Sequence, residues 1–124
     1  MSEQSEVLKA RTNRFALDVV ALLEFLPNGE PSRTIRHQLA RSATSIAANY
    51  RASRRARSHA EFTARISLVA EEADETLFWL TFIADANLIA SPLLTNLQRE
   101  AAELTAIFST SAATARRNAH ARKH

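Results

Sequence analysis

The sequence predicts an all-α protein, a single antiparallel up-down-up-down four-helix bundle, and three observations carry that prediction. The 124 residues contain one Gly and three Pro, so almost nothing interrupts helix formation. Apolar residues make up 46% of the chain and recur at spacings of three and four, and turn formers separate the periodic stretches at short intervals. A length of this order fits one domain with one core, and short connections force consecutive helices to run in opposite directions.

Helix one is expected over about residues 5–26, because Leu8, Thr12, Phe15, Val19, Leu22 and Leu26 form one stripe. Pro27-Asn28-Gly29-Glu30-Pro31 is the first turn, with Ser32 as the N-cap of the next helix. Helix two, about 32–52, carries Ile35, Leu39, Ala43, Ile46 and Tyr50 on its apolar stripe. Gln38, Ser42, Ser45 and Asn49 form a parallel line of small polar groups that permits close helix approach. Ser58-His59-Ala60-Glu61 is a capping box that opens helix three, about 59–89 and the longest of the four. That helix has two apolar lines, one from Phe62 through Ile66, Val69, Ala73, Leu77 and Leu80 to Ala84, the other through Leu68, Trp79 and Phe82. Ser91-Pro92 supplies a cap and a first-turn proline for helix four, about 92–113, whose stripe is Leu94, Leu97, Ala101, Leu104 and Phe108. A basic tail, residues 114–124, is expected to fray. The second line on helix three would lie bare on a monomer, so self-association is expected, with Leu68, Glu72, Glu75, Trp79 and Phe82 at the interface.

The absence of cysteine removes disulfides and thiolate metal sites and fits a reducing cytoplasm. The polar first residues carry no signal-peptide core, and no run is long enough to span a bilayer, so no membrane partner is expected. A carboxylate-bridged metal site in a bundle needs Glu-x-x-His pairs, and none occurs; no metal or cofactor is expected. The hydroxyl line at Ser42, Thr44 and Ser45, with His37 one to two turns away, is better explained by helix packing and bonds back to carbonyls than by nucleophilic catalysis. The chain is therefore expected not to be an enzyme.

Charge is the feature that points to a role. Residues 33–65 hold eight Arg against one Glu, residues 66–103 hold one Arg against seven acids, and the segment after Leu104 is basic without opposition. Arginine outnumbers lysine fourteen to two, a preference suited to forked contacts with phosphate. Arg51, Arg54, Arg55 and Arg57, at the end of helix two and in the turn, with Arg116 and Arg117, are candidate contacts to RNA or DNA. The alternative is a protein-interaction scaffold in which those arginines meet Glu71, Asp74 and Glu75 of a neighbouring subunit or partner.

The segment from Gln38 to Leu80 resembles the four-helix-bundle family of proteins encoded in intervening sequences of bacterial 23S ribosomal RNA genes. The positions that carry the resemblance are Gln38, Leu39, Ser45, Ile46, Asn49, Ser58, Glu61, Phe62, Glu72, Glu75, Trp79 and Leu80. One departure stands out: many members have Glu-Gly after the Asn-containing helix, where this chain has Tyr50-Arg51-Ala52-Ser53. The resemblance implies a homopentameric barrel and a distant similarity to the accessory protein of diversity-generating retroelements, which binds a reverse transcriptase and nucleic acid.

Overall fold

In the computed structural model, which describes residues 2–123 with side chains described as far as Ala121, the described residues form four α-helices and no strand. They are α1 (Glu3–Leu23), α2 (Ser32–Arg54), α3 (His59–Asp85) and α4 (Pro92–Lys123). One core draws on all four, with Val19 and Leu22, Leu39 and Ile46, Val69 and Leu80, and Leu104 and Phe108 fully shielded from solvent. These are the striped positions of the sequence, and burying each large apolar side chain contributes about 1.5–3 kcal/mol before entropy is set against it.

Residue pairs across the helices define how they lie. The Tyr50 hydroxyl, late in α2, reaches Ser5 near the start of α1. Between α2 and α3, the Ser42 and Thr76 hydroxyls meet at 2.9 Å, and Arg65 donates to the side-chain amide oxygen of Asn49 at 3.0 Å. Between α3 and α4, the His59 ring meets the Ala115 carbonyl at 2.9 Å, and Arg116 donates to the Ser67 hydroxyl at 3.1 Å. The start of α1, the end of α2, the start of α3 and the later turns of α4 therefore share one end of the molecule.

Several helix boundaries differ from the sequence expectation, each for an identifiable reason. The helix at the start opens at Glu3, because the Ser2 hydroxyl accepts from the Ser5 amide. It stops at Leu23, since the amides of Phe25 and Leu26 bond three residues back and Pro27 follows; Leu26 stays buried in the turn. Ser32 is not the cap of α2 but its first residue, and the Glu30 carboxylate takes the cap role by accepting from the Thr34 amide and hydroxyl. Those two hydrogen bonds, the amide's first, hold the Glu30 carboxyl below its ordinary range. Only half of the expected capping box forms: Ser58 accepts from the Glu61 amide, but the Glu61 carboxylate turns to the Arg57 amide rather than that of Ser58.

The third helix ends at Asp85, short of residue 89. Asn87 adopts a left-handed conformation (φ 54°), and the Leu88 and Asn87 amides close back on the carbonyls of Ile83 and Ala84. The segment from residue 114, expected to fray, is assigned helical as far as Lys123. The fourth helix runs unbroken to Lys123 and, at 32 residues, is the longest, in place of α3. Ala112 and Ala115 continue its buried stripe past Phe108, which is why it persists. The far end of the expected tail, His124, lies outside the described residues.

Candidate nucleic-acid interface

The six arginines singled out in the sequence gather at the end of the molecule just described, but they do not play one role. Arg51, on the last turn of α2, and Arg55, the residue just past its end, are both exposed, and neither makes an ion pair among the described residues. Together with Lys9 of α1 they line a groove of about 480 Å³ between α1 and α2, whose other walls are Glu6, Ala10, Asn13 and Ala47. Small side chains at Ala10 and Ala47 leave the space in which the long cationic ones sit. The groove continues along the same two helices into an apolar stretch beside Leu17 and Val20.

Arg54 differs from its neighbour. Its side chain is only 7% exposed and forms an ion pair with Glu6, so it ties the end of α2 to the start of α1. That is a structural use of a residue proposed to meet phosphate. Arg57 stands in the α2–α3 turn with 90% of its side chain in solvent, loosely paired with Glu61 at 3.8 Å. On α4, Arg116 and Arg117 are exposed and, among the described residues, bond to the hydroxyls of Ser67 and Thr114. Because Ala115 is level with the first residue of α3, the eight residues that follow carry α4 about 12 Å further at 1.5 Å per residue. Cations from α1, α2, the turn and α4 thus converge on one end without a carboxylate for each.

Several acidic residues of α3 and α4 are held in ion pairs within the chain. Arg41 pairs with Glu75 and, at 3.3 Å, with Glu72, so these two carboxylates are engaged by an arginine of the same chain. Glu71 and Asp74 line the α3–α4 groove with Thr105, Ser109 and one of the candidate arginines, Arg116. Across α1 and α4, Arg11 forks onto Glu100, donating at 2.6 and 2.7 Å, and also reaches Glu103 at 2.7 Å. The hydrogen bond to Glu100 raises the guanidinium's pKa, and the same bond lowers that of the Glu100 carboxyl against the opposing effect of burial. Sequence reasoning missed the Arg11, Arg41 and Glu6 pairings, since each joins residues more than thirty positions apart and nothing local announces them.

Of the expected interface residues on α3, Leu68 and Trp79 are half-buried and Trp79 packs against the core, while Phe82 remains 40% exposed. Phe78, not among them, is 56% exposed and meets Trp79 edge-on at 4.9 Å. The three rings form a contiguous surface cluster on the last turns of α3. Its position, four residues beyond Asp74, was readable from the helical spacing. The hydroxyl line on α2 is occupied by packing: Ser42 is buried, bonds back to the Leu39 carbonyl, and meets Thr76. Among the described residues no group of acidic, histidine or cysteine side chains is arranged to hold a metal, and no helix is long and apolar enough to cross a membrane.

The family model for the 23S rRNA-intervening sequence protein matches residues 3–110. A crystal structure of a protein with unknown function from the S23 ribosomal protein family of Bacteroides thetaiotaomicron is similar in fold, with a TM-score of 0.75 and 28% identity. The match covers 84% of this chain and 96% of that one. No curated protein matches the sequence.

Proposed function

This chain belongs to the 23S rRNA-intervening sequence protein family, and from that premise we propose that it is a non-enzymatic, homo-oligomeric bundle that binds RNA or DNA phosphates through its basic end. The helices run up, down, up, down in this reading, as the cross-helix pairs support, and the protein works in the cytoplasm without a cofactor. The observation that carries it is the pair Arg51 and Arg55, exposed in the Lys9-lined groove without an ion pair among the described residues. Holding a guanidinium without a carboxylate leaves its donors directed at water, from which phosphate oxygens can displace them bidentately. Arg57, Arg116 and Arg117 extend the same field, and an oligomer would multiply it and raise avidity for a polyanion.

The contacts are to backbone and so do not select sequence. In a titration of a labelled RNA hairpin followed by anisotropy, log affinity falls linearly with log salt, with a slope of about 0.9 for each phosphate neutralised on a duplex. The double variant Arg51→Glu with Arg55→Glu lowers that slope by about two and the affinity by at least about tenfold. Unchanged binding in the double variant would refute the assignment. Arg54 is a poor choice for this test, because its reversal disturbs the Glu6 pair and the fold with it.

The scaffold reading draws on a different observation, the exposed Phe78, Trp79 and Phe82 cluster, which supports contact between copies of the chain or with a protein partner; the family resemblance suggests a pentamer. Phe78→Asp with Phe82→Asp is expected to reduce the particle mass in light scattering while leaving helix content intact. A particle of unchanged mass would count against that face.

A further inference from the structure

Two grooves of different chemistry flank the first turns of α1 at the basic end. Glu6 and Lys9 line the one that holds Arg51 and Arg55; Ser5 and Leu8 line a second, of about 490 Å³, to which all four helices contribute. That is the size of a small-molecule site, and such sites commonly form between the helices of a bundle. The floor of the second groove is apolar and aromatic, from Tyr50, Ile66 and Phe108, all buried. Phe62 stands half-buried in its wall, with the His59 ring 6.3 Å away. The polar groups are mostly hydroxyls. Those of Ser2 and Ser53 are engaged within the fold, by the Ser5 amide and the Tyr50 carbonyl. The Tyr50 and Ser5 hydroxyls meet at a long 3.3 Å, and the Ser111 hydroxyl has no partner among the described residues. The one cation lining the groove, Arg54, is held by Glu6.

Resting on the phosphate-binding reading above, we infer that this second groove receives an unpaired base of the nucleic acid whose backbone lies on the neighbouring cations. An anionic ligand would have to displace Glu6 from Arg54, and a hydrocarbon would cut the Ser5, Tyr50 and Ser111 hydroxyls off from water without replacing its hydrogen bonds. A nucleobase meets both conditions. Its face packs against Phe62, and its edge, which carries donors and acceptors together, suits hydroxyls that can do either. Only α1 separates the two grooves, a width of about 10 Å, so a strand held at Arg51 and Arg55 has one helix terminus to cross. Stacking of this kind tolerates any base, in keeping with cations that contact backbone.

Purified protein is titrated at one salt concentration with a blunt duplex, with the same duplex carrying a short unpaired overhang, with that overhang made abasic, and with adenosine alone. The intact overhang is expected to bind at least about fivefold more tightly than its abasic form, the lower bound for one stacked base. Phe62→Leu keeps the apolar bulk and removes the ring, and Ser111→Leu fills the groove from α4. Each variant is expected to abolish the advantage of the intact overhang while binding the blunt duplex as the parent does. Equal affinity for intact and abasic overhangs, or an advantage that survives both variants, overturns the inference and leaves phosphate binding in place. Adenosine that saturates the groove while the overhang gains nothing assigns the site to a free nucleoside and also overturns it. Failure of every duplex at the lowest salt removes the phosphate-binding reading itself, and the inference with it.

Discussion

The two ends of this protein use aromatic residues in opposite ways. Where the arginines collect, Tyr50 and Phe108 are core; where α3 ends, Phe78 and Phe82 are surface. The difference teaches that charge on the outside of one end is supported from within by large rings, while the other end leaves Phe78 and Phe82 in solvent, keeps Trp79 half-buried and fills its interior with aliphatic residues such as Leu80 and Ile83. The largest break in that comparison is therefore expected from Phe108→Ala, which empties the space beneath the basic end. It should cost about 3–5 kcal/mol in urea unfolding, the range for a fully buried Phe. A loss under about 1 kcal/mol would mean that the basic end is not packed as described.

Next in size is the contrast between adjacent arginines. Arg54→Glu places a carboxylate beside Glu6 in a site where the side chain is 7% exposed, and should destabilise by about 2–3 kcal/mol, below the usual cost of breaking a buried pair because Glu6 itself stays half in water. Arg55→Glu falls at an exposed site and should change stability by no more than about 0.5 kcal/mol while weakening polyanion binding. Equal stabilities for the two variants would erase the distinction drawn between them.

These two arginines also show how far the sequence could be read. Helical periodicity located all four helices and nearly every buried stripe residue, because burial obeys a spacing of three and four. The basic segment was visible as charge along the chain. Which arginine in it faces solvent was not, because that depends on Glu6, forty-eight residues away. Local signals with a strong conformational rule were legible, as at Ser58 and at Ser91, whose hydroxyl accepts from the Leu93 amide. The end of α3 was misplaced since Leu88 continues the apolar spacing, while the stop is made by Asn87 in the left-handed region. The length of α4 was underestimated because its last buried positions are alanines, which register weakly as apolar periodicity.

A smaller effect is expected along the length that joins the two ends, at the Arg11–Glu100 fork. The Glu100 carboxyl has its pKa lowered in the folded state by the hydrogen bond from Arg11, so in the unfolded chain it binds a proton at higher pH. The stability it contributes is fully present above the unfolded value of about 4.3 and is lost as pH falls through the lower folded value. Glu100→Gln should remove that component, leaving a protein less stable by about 1 kcal/mol near neutrality and with a shallower loss below about pH 4.3. An acid limb identical in the variant and the parent would show that the fork contributes nothing to the seam between α1 and α4.

The smallest change in stability is expected at the far aromatic end. Phe78→Ala with Phe82→Ala removes side chains that are 56% and 40% exposed, so each gives up little burial, and the pair should shift the unfolding free energy of a dilute monomer by under about 0.5 kcal/mol. Rings this exposed contribute little to the fold that carries them, and together, each in edge contact with Trp79, they still present apolar area to water. The same substitution should therefore act on association while leaving folding alone: the melting temperature of the parent should rise with protein concentration and that of the variant should not. Concentration-independent melting in both would confine the cluster to a role within one chain, and would remove the exposed rings as the counterpart of the buried ones at the basic end.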